Sequence, residues 1–125
     1  MRIEHLGLYV DNLERMRDFY TRYFDAASGP RYENTAKKFT SCFLRFEGGA
    51  RLELMHQGER VSPGERGLGY AHLAVAVGSR QAVLALTERL RQDGYAVIGE
   101  PRTTGDGYFE SVVLDPEGNR VEITV

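Results

Sequence analysis

The chain has 125 residues, 42% of them hydrophobic and 27% charged, which is ordinary for one globular domain. Its net charge of −2 argues against a nucleic-acid partner or an anionic membrane surface, since either normally requires a basic protein surface. The single cysteine, Cys42, excludes an internal disulfide. With no apolar leader and no long apolar run, the chain is predicted to be cytoplasmic.

The first half of the chain predicts one strand, one helix and three further strands. Alternation of apolar and other residues marks the first strand, and Asp11 and Asn12 follow it as N-cap residues of an amphipathic helix. Ser28, Gly29 and Pro30 are turn residues beyond the helix end. The predicted strands cover residues 3–10, 31–34, 39–46 and 50–55, and the helix ends near residues 24–27.

The second half predicts the same order after a stretch without periodicity. Ser79 caps the second helix and Gly94 closes it in a left-handed conformation. The predicted strands cover residues 70–77, 95–98, 108–114 and 120–125, with a polar loop over 99–107 and a turn over 115–119. The chain is therefore interpreted as a single α+β domain, residues 1–125, made of a module 1–55, a linker 56–69 and a module 70–125.

The two βαβββ modules also repeat in sequence, and such self-similarity indicates that one structural unit occurs twice. Each module opens with a His on a strand and closes with a Glu on a strand. The matched pairs of segments are 5–10 with 72–77, 41–44 with 111–114, and 47–54 with 117–123, the last with Ala50 taken as an insertion.

Four residues stand at equivalent places in this repeat, namely His5, Glu53, His72 and Glu122. Each is predicted to lie on the strand face opposite the apolar residues, beside small neighbours such as Gly7. Two imidazoles and two carboxylates suit a divalent first-row transition metal with open coordination positions. Solvated surface charge is the alternative for any one of them, and the matched register of all four argues against it.

Other candidate residues carry weaker signals. Cys42 lies within a predicted strand and is interpreted as a buried, inert thiol, with a nucleophile as the alternative. His56 is interpreted as an exposed residue at a strand end, with a substrate contact as the alternative. Tyr9, Arg102 and Tyr108 are predicted only to lie in the vicinity of the pocket.

These features together resemble the vicinal oxygen chelate superfamily, within it the glyoxalase I branch (glyoxalase/bleomycin resistance/dioxygenase proteins). The resemblance rests on the paired modules, the placed His and Glu residues and the hairpin Asp-Pro-Glu-Gly-Asn-Arg-Val-Glu at 115–122. It implies a cupped, barrel-like mixed sheet with the helices outside, and often a homodimer that shares each cup. It also implies one metal ion bound by His5, Glu53, His72 and Glu122, with Ni²⁺ or Zn²⁺ favoured and Co²⁺, Mn²⁺ or Fe²⁺ as alternatives.

A complete His/Glu/His/Glu set is similar to that of glyoxalase I, which isomerises the glutathione hemithioacetal of methylglyoxal to lactoylglutathione. The resemblance implies that the metal stabilises an enediolate while Glu122 moves the proton, with Glu53 as its counterpart. Tyr9 departs from the pattern, because glutathione-using members carry an Arg there, and Gln57 is the nearest residue to an Asn that they carry. The alternatives are another metal-dependent member (epimerase, thiol transferase or dioxygenase) or a non-catalytic protein that binds a small molecule such as an antibiotic.

Overall fold

Two α-helices and nine β-strands lie within the residues that this computed structural model describes, which are 4–58, 70, 72–105 and 107–125. They form two units, Met1–Gly67 and Leu68–Val125, each with one helix and one mixed sheet. The predicted α+β class is confirmed. Neither of these helices is both long enough and apolar enough to span a membrane.

The first unit has a five-stranded sheet in which β1 is parallel to β5 and the other pairings are antiparallel. The sheet order is β1-β5-β4-β2, and β3 also pairs with β4. The elements are β1 (His5–Tyr9), α1 (Leu13–Tyr23), β2 (Ala27–Ser28), β3 (Tyr32–Asn34), β4 (Phe39–Arg45) and β5 (Arg51–Gln57).

Helix α1 forms because its start is capped and its apolar side is buried. The Asn12 side chain accepts a hydrogen bond from the backbone N–H of Arg15 at 2.9 Å, as predicted for an N-cap. The helix packs on β4 and β5. Its buried side chains are Leu13, Met16, Phe19, Tyr20 and Tyr23, which meet the buried sheet residues Leu44, Leu52 and Leu54.

The second unit has a four-stranded sheet of order β6-β9-β8-β7, with β6 parallel to β9. Its elements are β6 (Leu73–Ala76), α2 (Arg80–Gln92), β7 (Val97–Thr103), β8 (Phe109–Leu114) and β9 (Arg120–Thr124), so the βαβββ order is confirmed here. The Ser79 side chain caps α2, and Gly94 follows the helix with φ of 88°. Both predictions for the helix ends are confirmed.

Strand β7 overturns the predicted loop over residues 99–103. Gly99 and Pro101 suggested a loop, yet both lie within β7, the edge strand of its sheet among the described residues. An edge strand tolerates Pro because one side of its backbone needs no partner. The pairing with β8 shifts register between Val97 and Gly99 and again between Gly99 and Arg102, so irregularities accommodate these residues.

Two further boundaries differ from the sequence prediction. The short strand β2 includes Ser28, the first residue of the predicted turn at 28–30, and pairs with β4. Strand β5 continues to Gln57, so His56 and Gln57 belong to a strand and not to the predicted linker. Residues 59–69 of that linker lie outside the described residues, and the domain boundaries remain a prediction.

The strand pairing also corrects the alignment of the two modules. Phe43 pairs with Glu53, and Val112 pairs with Glu122, so Phe43 and Val112 are the equivalent residues. The hairpin loops, residues 46–50 and 115–119, have the same length. The assumed insertion of Ala50, and with it the match of 41–44 to 111–114, was therefore wrong by one position. The sequence match rests on identical Ser and Leu residues in the two segments, but the hydrogen-bonded strand pairing follows a different register.

Candidate functional site

In the first unit, strand pairing brings His5 and Glu53 together. His5 begins β1, and Gly7, two residues later on the same face, lies opposite Glu53 on the parallel strand β5. The His5 Nε2 atom is 3.8 Å from the Glu53 Oε2 atom. Residues 48 positions apart in the sequence thus meet on one face of one sheet.

The second unit repeats this geometry with His72 and Glu122. His72 immediately precedes β6, and Ala74 lies opposite Glu122 on the parallel strand β9. The His72 Nε2 atom is 3.2 Å from the Glu122 Oε2 atom. The Nε2 atom of the imidazole therefore approaches the Glu carboxylate in both units, which solvated surface charges have no reason to do.

Both pairs combine an accessible imidazole with a more sheltered carboxylate. The side chains of His5 and His72 are each 42% exposed, whereas those of Glu53 and Glu122 are 18% and 21% exposed. The helix-facing neighbours Val121 and Ile123 are fully buried. Each pair can therefore be reached by a ligand on the sheet face that does not carry the core.

The spacing within each pair fits two ligands of one metal ion. Ligand atoms about 2.0–2.2 Å from an ion lie about 3 Å apart when they occupy neighbouring coordination positions. The measured separations of 3.8 Å and 3.2 Å require little movement to meet this. Among the described residues, no group of three or more His, Cys, Asp and Glu side chains is placed to hold an ion, so the donors occur as pairs.

Sequence reasoning missed a set of contacts around His5. The Glu4 Oε2 atom is 2.5 Å from His5 Nδ1, and the Glu4 Oε1 atom is 2.5 Å from Arg51 Nη2. The hydrogen bonds from His5 and Arg51 and the charge of Arg51 hold the pKa of the Glu4 carboxyl below its usual range. The Arg51 guanidinium carbon lies 4.0 Å from the centre of the Phe43 ring. The sequence signal for these contacts was Glu4, a charged residue directly before the candidate ligand His5.

Tyr9 shares the sheet face of His5 but carries no charge. It ends β1, lies opposite Met55 in the ladder and is 54% exposed. The methyl group of Met55 approaches Gly7 so closely that an added Cβ there would lie 2.7 Å from it. The vicinity of Tyr9 to the pocket stays a prediction.

Arg102 and Tyr108 lie on or beside strands of the second unit, and their vicinity to the pocket stays a prediction. Arg102 lies on β7 and not in a loop, is exposed, and is the ladder partner of Glu110. Tyr108 precedes β8 and is 58% exposed. Its carbonyl oxygen accepts a hydrogen bond from the backbone N–H of Thr104, and its own backbone N–H donates to the Thr104 hydroxyl. On β8, Glu110 and Val112 are two residues apart and therefore lie on the same face. Glu110 pairs with Arg102, and Val112 pairs with Glu122, so Arg102 and Glu122 lie on one face of the sheet.

His56 lies away from the His5 and Glu53 pair. It is half-buried within β5, so the predicted exposed strand end was wrong. Strand alternation places it on the face opposite to Glu53, and its Nδ1 atom is 3.0 Å from the carbonyl oxygen of Val10. This contact ties the end of β1 to β5, and the position gives no support to a substrate contact.

Cys42 is buried, as predicted. It is 3% exposed, and burial raises the pKa of its thiol. Its equivalent in the corrected module alignment is Ser111, which is also buried and shares a 2.6 Å hydrogen bond with Thr87. The Cys42 position therefore belongs to the core between sheet and helix.

Comparison with known proteins places the whole chain in one group. Residues 2–123 match the Glyoxalase/Bleomycin resistance protein/Dioxygenase superfamily. A Vibrio cholerae serotype O1 protein named "Probable lactoylglutathione lyase" is 30% identical over 98% of this chain and 88% of that protein. "Lactoylglutathione lyase" of Haemophilus influenzae is 31% identical over 98% of this chain and 90% of that protein.

A solved structure is also similar. The crystal structure of glyoxalase I from Zea mays is 25% identical and has a TM-score of 0.82. The match covers 98% of this chain but only 44% of the maize chain, so this chain corresponds in length to less than half of it.

Proposed function

We propose that this chain, which belongs to the Glyoxalase/Bleomycin resistance protein/Dioxygenase superfamily, is a metal-dependent lyase that acts on a small thiohemiacetal or a related substrate with two neighbouring oxygens. It is lactoylglutathione lyase-like over nearly its whole length. The observation that carries the proposal is the repeated His–Glu pair, with one Nε2 atom facing one Oε2 atom in each unit.

The proposed metal ligands are His5, Glu53, His72 and Glu122. Imidazole nitrogen and carboxylate oxygen together suit Ni²⁺ or Zn²⁺, with Co²⁺, Mn²⁺ or Fe²⁺ as alternatives. One ion that takes both pairs would have four protein ligands, whereas either pair alone supplies two. When bound, the ion supplies Lewis-acid stabilisation of negative charge on the two neighbouring substrate oxygens.

The proton transfer is assigned to Glu122. Its carboxylate takes a proton from one substrate carbon as general base and returns it to the adjacent carbon as general acid, so substrate and product have the same atoms. Its partial burial limits competition from water. Glu53, in the equivalent setting beside His5, is proposed as the counterpart on the other side of the substrate.

The thiol part of the substrate is the open specificity question, and Tyr9 bears on it. A glutathione conjugate carries carboxylates, which a cation binds well. The exposed side chain on the His5 face is instead the uncharged phenol of Tyr9. This supports a thiol other than glutathione. It also supports, as the second candidate, another metal-dependent member of the superfamily that acts on a different small oxygenated molecule.

A homodimer in a reducing, cytoplasmic setting completes the proposal. Each unit supplies one His and one Glu of the proposed set, so a site with all four ligands needs both kinds of unit. The contribution of a second chain is one way to bring them together. Non-catalytic binding of a small molecule remains the contrasting class of function.

Metal titration of the purified, metal-stripped protein is the deciding experiment. Calorimetry with Ni²⁺ or Zn²⁺ is expected to give one ion per chain, because both pairs serve one ion. Replacement of either His5 or His72 by Ala should weaken binding strongly, and His56→Ala should leave it unchanged. No stoichiometric binding by the wild-type protein contradicts the proposal, and two ions per chain contradict the four-ligand site.

A further inference from the structure

The carboxylate of Glu4 uses both of its oxygens to connect His5 with Arg51. Glu4 Oε2 lies 2.5 Å from the Nδ1 atom of His5, and Glu4 Oε1 lies 2.5 Å from Nη2 of Arg51. Arg51 is the ladder partner of His5 on β5, and its backbone N–H donates to the carbonyl oxygen of Glu4 at 3.0 Å. The carboxylate is thus positioned by both the side chain and the backbone of one residue.

The aromatic ring of Phe43 supports two members of this group. The Arg51 guanidinium carbon stands 4.0 Å from the ring centre, a cation–π geometry. The imidazole of His5 meets the same ring edge-on, with 5.4 Å between centres and 90° between planes. Phe43 also pairs with Glu53 in the ladder. Phe43 therefore restricts the orientation of the His5 ring, and Glu4 binds its Nδ1 atom.

The bond to Glu4 decides which nitrogen of His5 carries the proton. An ionised carboxylate only accepts hydrogen bonds, so His5 must donate through Nδ1–H. The lone pair of the neutral ring then lies on Nε2, the atom that faces Glu53. The hydrogen bond of one ring nitrogen commonly sets the protonation of the other in this way.

We infer that Glu4, held by Arg51, is a positioning residue that keeps His5 in the Nδ1–H form. The Nε2 lone pair of His5 then stays available on the side of Glu53, where the metal is proposed to bind. The role of Glu4 toward a metal rests on the proposed function, whereas its control of the His5 tautomer does not. The residue before His72 is Ala71, whose side chain has no acceptor. His5 therefore has a carboxylate on the residue before it to accept its Nδ1–H, and His72 does not.

Nitrogen-15 NMR of the metal-free protein tests the tautomer directly. At about pH 8.5, where an ordinary imidazole is neutral, the wild-type His5 ring should show a protonated Nδ1 and an unprotonated Nε2. Glu4→Ala should shift His5 towards the Nε2–H form that free imidazole side chains prefer, while His72 stays unchanged. Glu33→Ala, which removes an exposed carboxylate of the same unit, is the matched control and should change neither ring.

Calorimetric titration with Ni²⁺ or Zn²⁺ tests the consequence for metal binding. Glu4→Ala should weaken the affinity about 10–100-fold, the usual effect of removing a partner of a ligating His, and Glu33→Ala should not. An unchanged His5 tautomer, or unchanged affinity, in Glu4→Ala overturns the inference. If the wild-type protein binds no metal, the proposed function fails, and the tautomer assignment to Glu4 is still supported or overturned by the NMR result.

Discussion

Two histidine–glutamate contacts, one in each unit, define the chemistry at the level of single residues. Glu53 and Glu122 keep one face of their strands polar while the alternate residues are buried. Small residues, Gly7 and Ala74, lie opposite them in the two ladders, and the methyl group of Met55 packs against Gly7. The pairs are thus accessible and partly shielded from water, a setting in which a carboxylate can both bind a cation and move a proton.

Replacement of the proposed acid–base group separates chemistry from binding. Glu122→Gln removes the proton carrier but keeps an oxygen, so kcat should fall about 10²–10⁴-fold while substrate affinity falls less. Steady-state kinetics with metal restored measures both quantities. Glu88→Gln, on the exposed side of α2 in the same unit, is the control and should retain activity. Equal turnover by Glu122→Gln and wild type would remove Glu122 from the mechanism.

The side chain at position 9 should control use of glutathione. Wild-type activity with methylglyoxal and glutathione is expected to be weak, and Tyr9→Arg should raise it by supplying a cation for the carboxylates of the thiol. Kinetics with varied glutathione detects the change as a lower KM. Tyr32→Arg places the same charge at a Tyr of similar exposure, 55% against 54%, and should not help. Strong wild-type activity with glutathione contradicts the interpretation of Tyr9.

At the level of elements, β5 joins the candidate site to the core of the first unit. Glu53 faces away from the helix, while its neighbours Leu52 and Leu54 are 4% and 0% exposed beneath α1. Because successive side chains of a strand point to opposite faces, β5 places Glu53 at the candidate site and its Leu neighbours in the core. The position of Glu53 therefore depends on how firmly the Leu residues anchor the strand.

Truncation of the anchor should cost stability. Leu54→Ala leaves a cavity under α1 and is expected to lower the free energy of unfolding by about 2–5 kcal/mol. Urea denaturation followed by circular dichroism measures the loss. Leu84→Ala, on α2 where the side chain is 50% exposed, should change stability by less than about 1 kcal/mol. A Leu54→Ala variant as stable as wild type would show that β5 is not anchored by this contact.

At the level of the whole molecule, the chain is a repeat whose two halves are similar in ladder and site but not in detail. The first unit has the extra short strand β2 and the contacts of Glu4, whereas the second has the long edge strand β7. The corrected register holds through the hairpins of both units. The repeat thus gives each unit one His–Glu pair at an equivalent place.

The oligomeric state provides the test at this scale. We expect a homodimer, because each half supplies only two ligands and the family resemblance implies shared cups. Light scattering of the metal-loaded protein at micromolar concentration should give twice the chain mass of 14.1 kDa. A metal-loaded monomer with full affinity would contradict the homodimer without affecting the ligand set.

The sequence by itself determined the features that depend on local periodicity and repetition. The helix caps at Asn12 and Ser79 are confirmed, since short-range hydrogen bonds define them. The face on which Glu53 and Glu122 lie also followed from the two-residue period of a strand. Equivalent His and Glu residues were visible because the module occurs twice in one chain.

Only the tertiary structure decided which distant residues meet. Pairing between strands assigned Phe43 and Val112 as partners of Glu53 and Glu122, where matching of letters had placed the alignment one residue away. It also made an edge strand of the segment around Pro101. The contact of Glu4 with Arg51 arises from the parallel β1–β5 ladder. Such contacts depend on backbone hydrogen bonds between segments far apart in the chain, and no local pattern of residues specifies their register.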